Sequence, residues 1–278
     1  LYLSDEALRG VVEREGIGWV HDRAVEVGRL AGSNHFRELA HLANHQKPRL
    51  ETHDRVGNRI DHVTYHPAYH EVMDANFRTE VHSLPWTVDA PRPQTARNVL
   101  YYMWNQLENG TVGCPNGMTW AIVPLLRSDP EIGDRWLDKI LSTQYDQRTL
   151  PAADTNGLSV AMAITEKQGG SDVRANTTRA IDTGDGCEYL LTGHKYFVSA
   201  PMGDILLLTA QTDQGVTLFI CPRVLDNGEL NNIRIQRLKD KLGNSSNATS
   251  EVELVDAVGH RIGEEGRGVA GFVKNMTH

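Results

Sequence analysis

The spacing of apolar residues changes period once along this 278-residue chain, and the change restricts what the chain can fold into. Up to about residue 150 apolar side chains recur at helical spacing. Beyond Pro151–Gly157, where Pro, Asp, Asn and Gly gather, they alternate as on strands. The pattern therefore predicts an α+β protein: an all-α domain over 1–155, a β domain over 156–268, and the first turns of a further helical element over 269–278. Chain length allows two separate cores.

In the helical half, Ser4 followed by Asp5 and Glu6 reads as an N-cap with acidic residues at the positive helix end, and Gly16 as a stop. Phe36, Leu39, Ala40 and Ala43 share a helical face, while the polar stretch 45–65 reads as a connecting loop. Pro67 opens a helix whose apolar face includes Tyr69, Val72 and Met73. The stretch 85–93 breaks the chain, and 95–109 resumes helical spacing through Val99, Leu100, Met103 and Leu107 until Gly110. Residues 120–126 read as one buried helix. Asp129-Pro130-Glu131 reads as a capped start, with Ile132, Trp136 and Ile140 facing inward.

In the β half, residues 158–165 set Leu158, Val160, Met162 and Ile164 against Ser159, Ala161, Ala163 and Thr165, the pattern of a half-buried strand. It runs into Gly169-Gly170, where the chain can turn tightly and offer backbone N–H groups. Thr165 and Ser171 place hydroxyls on either side. That suits a planar, polar-edged cofactor needing donors along one rim, although the spacing alone would serve many ligands. Further strands are predicted through Lys195 and Phe197 to Val198, and over 204–211, 216–221 and 251–255, with turns at 184–186 and 226–228. Residues 263–268 break the pattern before a helix from Val269.

The passage Thr165-Glu-Lys-Gln-Gly-Gly-Ser-Asp-Val173, with Asn176-Thr-Thr-Arg179, Lys195–Ser199 and Arg237-Leu-Lys-Asp-Lys-Leu-Gly-Asn244, resembles the acyl-CoA dehydrogenase family of flavoproteins, most nearly its AidB-type alkylation-response branch. Most of that family carries Trp where this chain has Phe197; the AidB-type branch has Phe. The resemblance implies an α-helical domain, a small antiparallel β-barrel, and a C-terminal helical bundle that is missing here. It implies FAD as cofactor, held by Met162, Ile164, Thr165, Gly170, Ser171, Phe197, Val198 and Ser199. Thr165 would meet the pyrimidine edge of the ring and Ser199 would lie near flavin N5. Phe197 would wall the ring, and Ser171 would lie at the pyrophosphate or the substrate mouth.

The implied parent reaction is α,β-dehydrogenation of an acyl-CoA or related thioester. Its base would be a Glu in the bundle; no position before His278 matches it, so no catalytic residue is expected in this chain. The alternative reading is a DNA-associated flavoprotein that protects against alkylation, with DNA contact through the missing bundle. A homo-oligomer, a tetramer in the intact protein, is implied as well.

Other features read blandly. Glu166 is tempting as a base, but its neighbours are charged and flexible. His62, His66 and His70 fall four apart and His41 and His45 form another such pair, yet no Cys or carboxylate completes a set, so no metal is expected. The run Arg234, Arg237, Lys239, Lys241 is interrupted by Asp240 and reads as a solvated face. A net charge of −8 argues against a general nucleic-acid-coating surface. The cysteines Cys114, Cys187 and Cys221 lack paired spacing and read as reduced thiols. With no signal peptide or membrane-length apolar run, the expectation is a cytoplasmic protein with no membrane partner. A start at Leu1 and an end within a helical pattern predict a piece of a longer protein.

Overall fold

The structure, a computed structural model, describes residues 1–276. Its first half runs α1 (Glu6–Arg14), α2 (His21–Ala31), α3 (Asn34–His45), β1 (Arg49–His53), β2 (Arg59–Thr64), α4 (Pro67–Arg78), α5 (Leu84–Thr87), α6 (Pro93–Trp104), α7 (Gly113–Ala121), α8 (Val123–Ser128) and α9 (Pro130–Ile140). Its second half is β3 (Val160–Ala163), β4 (Arg179–Asp182), β5 (Glu188–Ser199), β6 (Ile205–Thr212), β7 (Gly215–Pro222), β8 (Ile233–Leu238), β9 (Thr249–Ile262) and α10 (Gly268–Met276). The last two residues of the expected 269–278 element lie outside the described residues.

The helices expected near 4–16, 36–43, from 67, over 95–109 and from 129 form with corrected ends. Helices α2 and α5 were not expected, α5 running into the stretch read as a break. Asp5, rather than Ser4, caps α1, accepting from Leu8 N at 2.8 Å; the Ser4 hydroxyl is turned back onto Leu1 O. Pro67 sits in the first turn of α4, where its missing N–H costs nothing. Helix α6 stops at Trp104, and the chain then turns through a left-handed Asn109, φ 53°. The run 120–126 is two helices, because Pro124 has no N–H to continue the α7 ladder. Asp129 makes no cap bond; its carboxylate instead accepts from Gly263 N at 2.8 Å, joining the start of α9 to the end of β9.

The stretch 45–65 is a correction. It is an antiparallel hairpin, with Leu50 opposite Val63, around a turn in which Asp54 accepts from Val56 N and Asn58 N. The hairpin docks through a polar anchor: buried Asp61 accepts from Ile235 N at 3.1 Å, and Arg223 donates to its carbonyl.

Among the described residues, seven strands form one sheet in the order β3-β5-β4-β6-β7-β9-β8. Pairing is mostly antiparallel, with β3 and β4 parallel to β6. The long β9 pairs with β5, β7 and β8. Strand β3 is shorter than the alternating run and buried on both faces. Leu158 and Val160 pack with α7–α9, while Ala161 and Ala163 belong to the larger core shared by the first helices and the sheet. The Thr119 hydroxyl on α7 even takes the Val160 N–H, at 3.1 Å. No helix among the described residues is long and apolar enough to cross a membrane.

Candidate functional site

Strand β3 delivers Ile164, Thr165 and Glu166 to a corner that the end of β5 completes. Tyr196 N donates to Thr165 O at 2.9 Å, and Met162 stands opposite Ser199. The chain then folds back through Gly169, φ 130°, whose N–H donates to Glu166 O. A Cβ at Gly170 would lie 2.8 Å from Thr165 Oγ1, so the turn can close over that hydroxyl only with glycine. Met162, Ile164, Thr165 and Ser199 are thus gathered half-buried, with Gly170 and Ser171 exposed above them. Phe197 presents its ring at 46% exposure. Val198 differs: its side chain is buried in the core, so only its backbone faces this corner. A half-sheltered pair of hydroxyls, an open glycine turn and an exposed ring fit a planar cofactor with polar edges.

Two polar staples hold the corner. Asn176 donates to Ile164 O at 2.8 Å and to Thr209 Oγ1 at 3.1 Å. Glu166, 2% exposed, accepts from Lys195 Nζ at 2.8 Å, from Thr177 N at 2.6 Å and from Thr178 N at 3.2 Å. Burial pushes the Glu166 carboxyl up, but the Lys195 charge and these donors more than offset it and hold it below the usual range. Glu166 is therefore no free base, although not for the reason its sequence neighbours suggested: it is buried and fully engaged.

Beside Phe197, Lys239 Nζ sits 3.1 Å from the Tyr196 ring centroid and 4.7 Å from that of Phe197. Lys239 and Arg237 both donate to Glu251, and the Lys239 bond, joined by Arg237 against the effect of burial, holds that carboxyl at about 2. Arg234 faces Glu253 across the sheet, and Lys241 donates to Asn247 O and Thr249 Oγ1. Of the basic run, Arg237 and Lys239 are thus ion-paired within the sheet.

Cys114 lies half-buried on α7. Burial pushes its thiol up, partly opposed by hydrogen bonding with Ser199, the Lys241 charge and Asn247. The histidines sort differently from their spacing. His62 lies on β2, His66 Nδ1 accepts from Ala68 N as the α4 cap, and His70 Nδ1 is 2.9 Å from the Tyr145 hydroxyl, so these three do not converge on one ion. His41 and His45 do acquire the carboxylate that the sequence lacked nearby: Glu108 lies 3.1 Å from each.

Residues 1–147 match the family model for the adaptive response protein AidB N-terminal domain, and residues 161–257 match that for the acyl-CoA dehydrogenase middle domain. The chain is 45% identical to AidB of Escherichia coli (strain K12) over 276 residues, 99% of this chain and 51% of that protein. It is 32% identical to acyl-CoA dehydrogenase family member 11 of Caenorhabditis elegans over 256 residues, 87% of this chain and 40% of that one. The solved structure of C. elegans ACDH-11 in complex with C11-CoA superposes with a TM-score of 0.86 at 27% identity, covering 99% of this chain and 48% of that chain. An acyl-CoA dehydrogenase complexed with FAD from Bacillus anthracis shares the fold, with a TM-score of 0.67 at 15% identity over 91% of this chain and 39% of that one. The chain spans about half the length of the curated relatives it matches.

Proposed function

This chain belongs to the acyl-CoA dehydrogenase family, in its AidB branch, and from that premise we propose that the β3–β5 corner holds FAD in an oxidoreductase acting on acyl-CoA thioesters. The observation that carries the reading is the closure of Gly170 over Thr165, beside Ser199 and the open Phe197 ring. When bound, FAD supplies the acceptor for the hydride that leaves the substrate β carbon.

The chain's own residues bind and orient. The Thr165 hydroxyl and backbone meet the polar edge of the ring, the Ser199 hydroxyl serves the N5 side, and Phe197 covers a face. Gly170 and Ser171 leave room for the phosphate-bearing arm. No proton transfer from substrate is assigned to Glu166, whose oxygens are committed to Lys195, Thr177 and Thr178. The acyl-CoA class is supported by the C11-CoA complex of the C. elegans relative. No observation on these residues favours the DNA-associated reading, since Arg237 and Lys239 are already paired with Glu251.

Two substitutions test the reading. Ser199→Ala in the whole protein is expected to keep the fold and to shift the flavin absorption and reduction potential. One hydrogen bond of about 1 kcal/mol lost from one redox state moves a two-electron couple by about 20 mV. An unmoved spectrum and potential would count against Ser199 as a flavin contact. Gly170→Val drives a side chain into the Thr165 hydroxyl, and is expected to weaken FAD binding at least about tenfold, or 1.4 kcal/mol. Retention of FAD at wild-type affinity, read by flavin fluorescence titration, would remove the turn from the site.

A further inference from the structure

Away from the cofactor corner, α3 and the turn after α6 build a second constellation. His41 and His45 stand one turn apart on the exposed face of α3, their ring centroids 4.0 Å apart. The Glu108 carboxylate spans them, with Oε2 3.1 Å from His41 Nδ1 and Oε1 3.1 Å from His45 Nε2. One ligand atom from each of the three residues can be chosen so that all lie within 4.8 Å of one another. We propose that His41, His45 and Glu108 form a binding site for a divalent transition-metal ion of the zinc class.

The separations suit such an ion. Nitrogen and oxygen ligands at about 2.0–2.1 Å from a tetrahedral centre stand roughly 3.4 Å from one another. The two imidazole–carboxylate separations are already close to that edge, so small rotations of exposed side chains admit an ion. Two imidazoles with one carboxylate are a borderline donor set, which favours zinc, cobalt or nickel over the hard cations magnesium and calcium. Three protein ligands leave positions for water, and the exposure of the site allows water to fill them.

The carboxylate is not on a loose loop. The Glu108 carbonyl accepts from Asn44 Nδ2 at 2.8 Å and from Thr111 Oγ1 at 2.9 Å. Asn44, 4% exposed, lies on α3 between the two histidines in sequence, so one helix carries both imidazoles and fixes the backbone of the third ligand. The same amide accepts from Ser246 N at 3.2 Å, and Ser246 Oγ donates to Thr111 O at 2.7 Å. An ion on His41, His45 and Glu108 would therefore tie α3 more firmly to the turn on which the segment before β9 rests.

The test uses the whole protein, free of any affinity tag and stripped with a chelator, titrated calorimetrically with zinc chloride and followed by absorption with cobalt chloride. One ion per chain is expected. Glu108→Gln and His41→Ala should each weaken zinc binding at least tenfold, and His41→Ala with His45→Ala should abolish saturation. Circular dichroism and FAD content should stay unchanged, because none of these residues touches the cofactor corner. Failure to saturate at micromolar zinc would overturn the site, as would an affinity indifferent to all three residues. Magnesium chloride binding as tightly as zinc chloride would overturn its class.

Discussion

Lys195→Ala is expected to destabilise the protein by about 3–5 kcal/mol, the range for breaking a buried ion pair by deleting one partner, and to release the flavin. Lys195 has no exposed surface, and its ammonium meets Glu166 Oε1 at 2.8 Å. Without it, a carboxylate 2% exposed keeps its charge among apolar neighbours with only the Thr177 and Thr178 donors. The pair also has a position: Glu166 follows Thr165 and Lys195 precedes Tyr196, the two residues joined by the backbone bond that closes the corner. Replacing both partners, Glu166→Leu with Lys195→Met, removes the unpaired charge and is expected to recover most of the stability. It should not recover flavin affinity, because Thr177 and Thr178 lose the acceptor that positions the turn. Urea unfolding and flavin fluorescence separate the two effects. A Lys195→Ala protein within about 1 kcal/mol of wild type would show that the pair holds nothing.

That pair marks where sequence reading ran out. The helix faces of α3, α4 and α9 were legible because burial on one side imposes a period, and β6 and β7 because, buried on both faces, they are near-continuous apolar runs. The turn at Gly169–Gly170 was legible because φ 130° at the first position and a hydroxyl 2.8 Å from the second leave few residues possible. Glu166 and Lys195 read as surface charges because burial of a charge is decided by a partner, here on another strand. The same holds for Asp61, whose carboxylate docks the β1–β2 hairpin on β8 although the hairpin itself shows too little apolar alternation to announce strands. Glu108 met His41 and His45 only through the fold. The half-buried strand expected over 158–165 failed for a related reason: the face that alternation left to solvent, with Ala161 and Ala163, is covered by the larger core shared by the first helices and the sheet.

The contribution of His82 to stability is expected to be level above about pH 6.5 and to fall as the pH drops from there toward 4. Asp204, whose carboxyl is raised to about 7 by burial, acts in the opposite direction. His82 has no exposed surface, lies stacked on Phe77 with centroids 4.0 Å apart, and has Nε2 2.9 Å from Ser142 O. Burial pushes its imidazole down to about 4, only partly opposed by the Ser142 carbonyl, with the Arg97 charge adding to the fall. The folded state thus keeps His82 neutral while the unfolded chain takes up a proton near pH 6.5, so acid favours unfolding across that window. At 1.36 kcal/mol per unit of pKa difference, His82 alone removes about 2 kcal/mol by pH 5 and about 3 kcal/mol by pH 4. His70 and His260, also lowered to about 4 chiefly by burial, act in the same direction. The bond to Ser142 ties the residues before α5 to those just after α9, so charging this imidazole loosens the seam between the early helices and the chain entering β3. His82→Gln removes the titration while offering an amide N–H to the same carbonyl, and should flatten the slope between pH 7 and 5 by up to one proton. Urea midpoints of wild type and His82→Gln at pH 7, 6 and 5 decide it, since Asp204 titrates in both: a stability difference between the two that stays constant across that range would mean that the His82 pKa does not differ between the folded and unfolded chain.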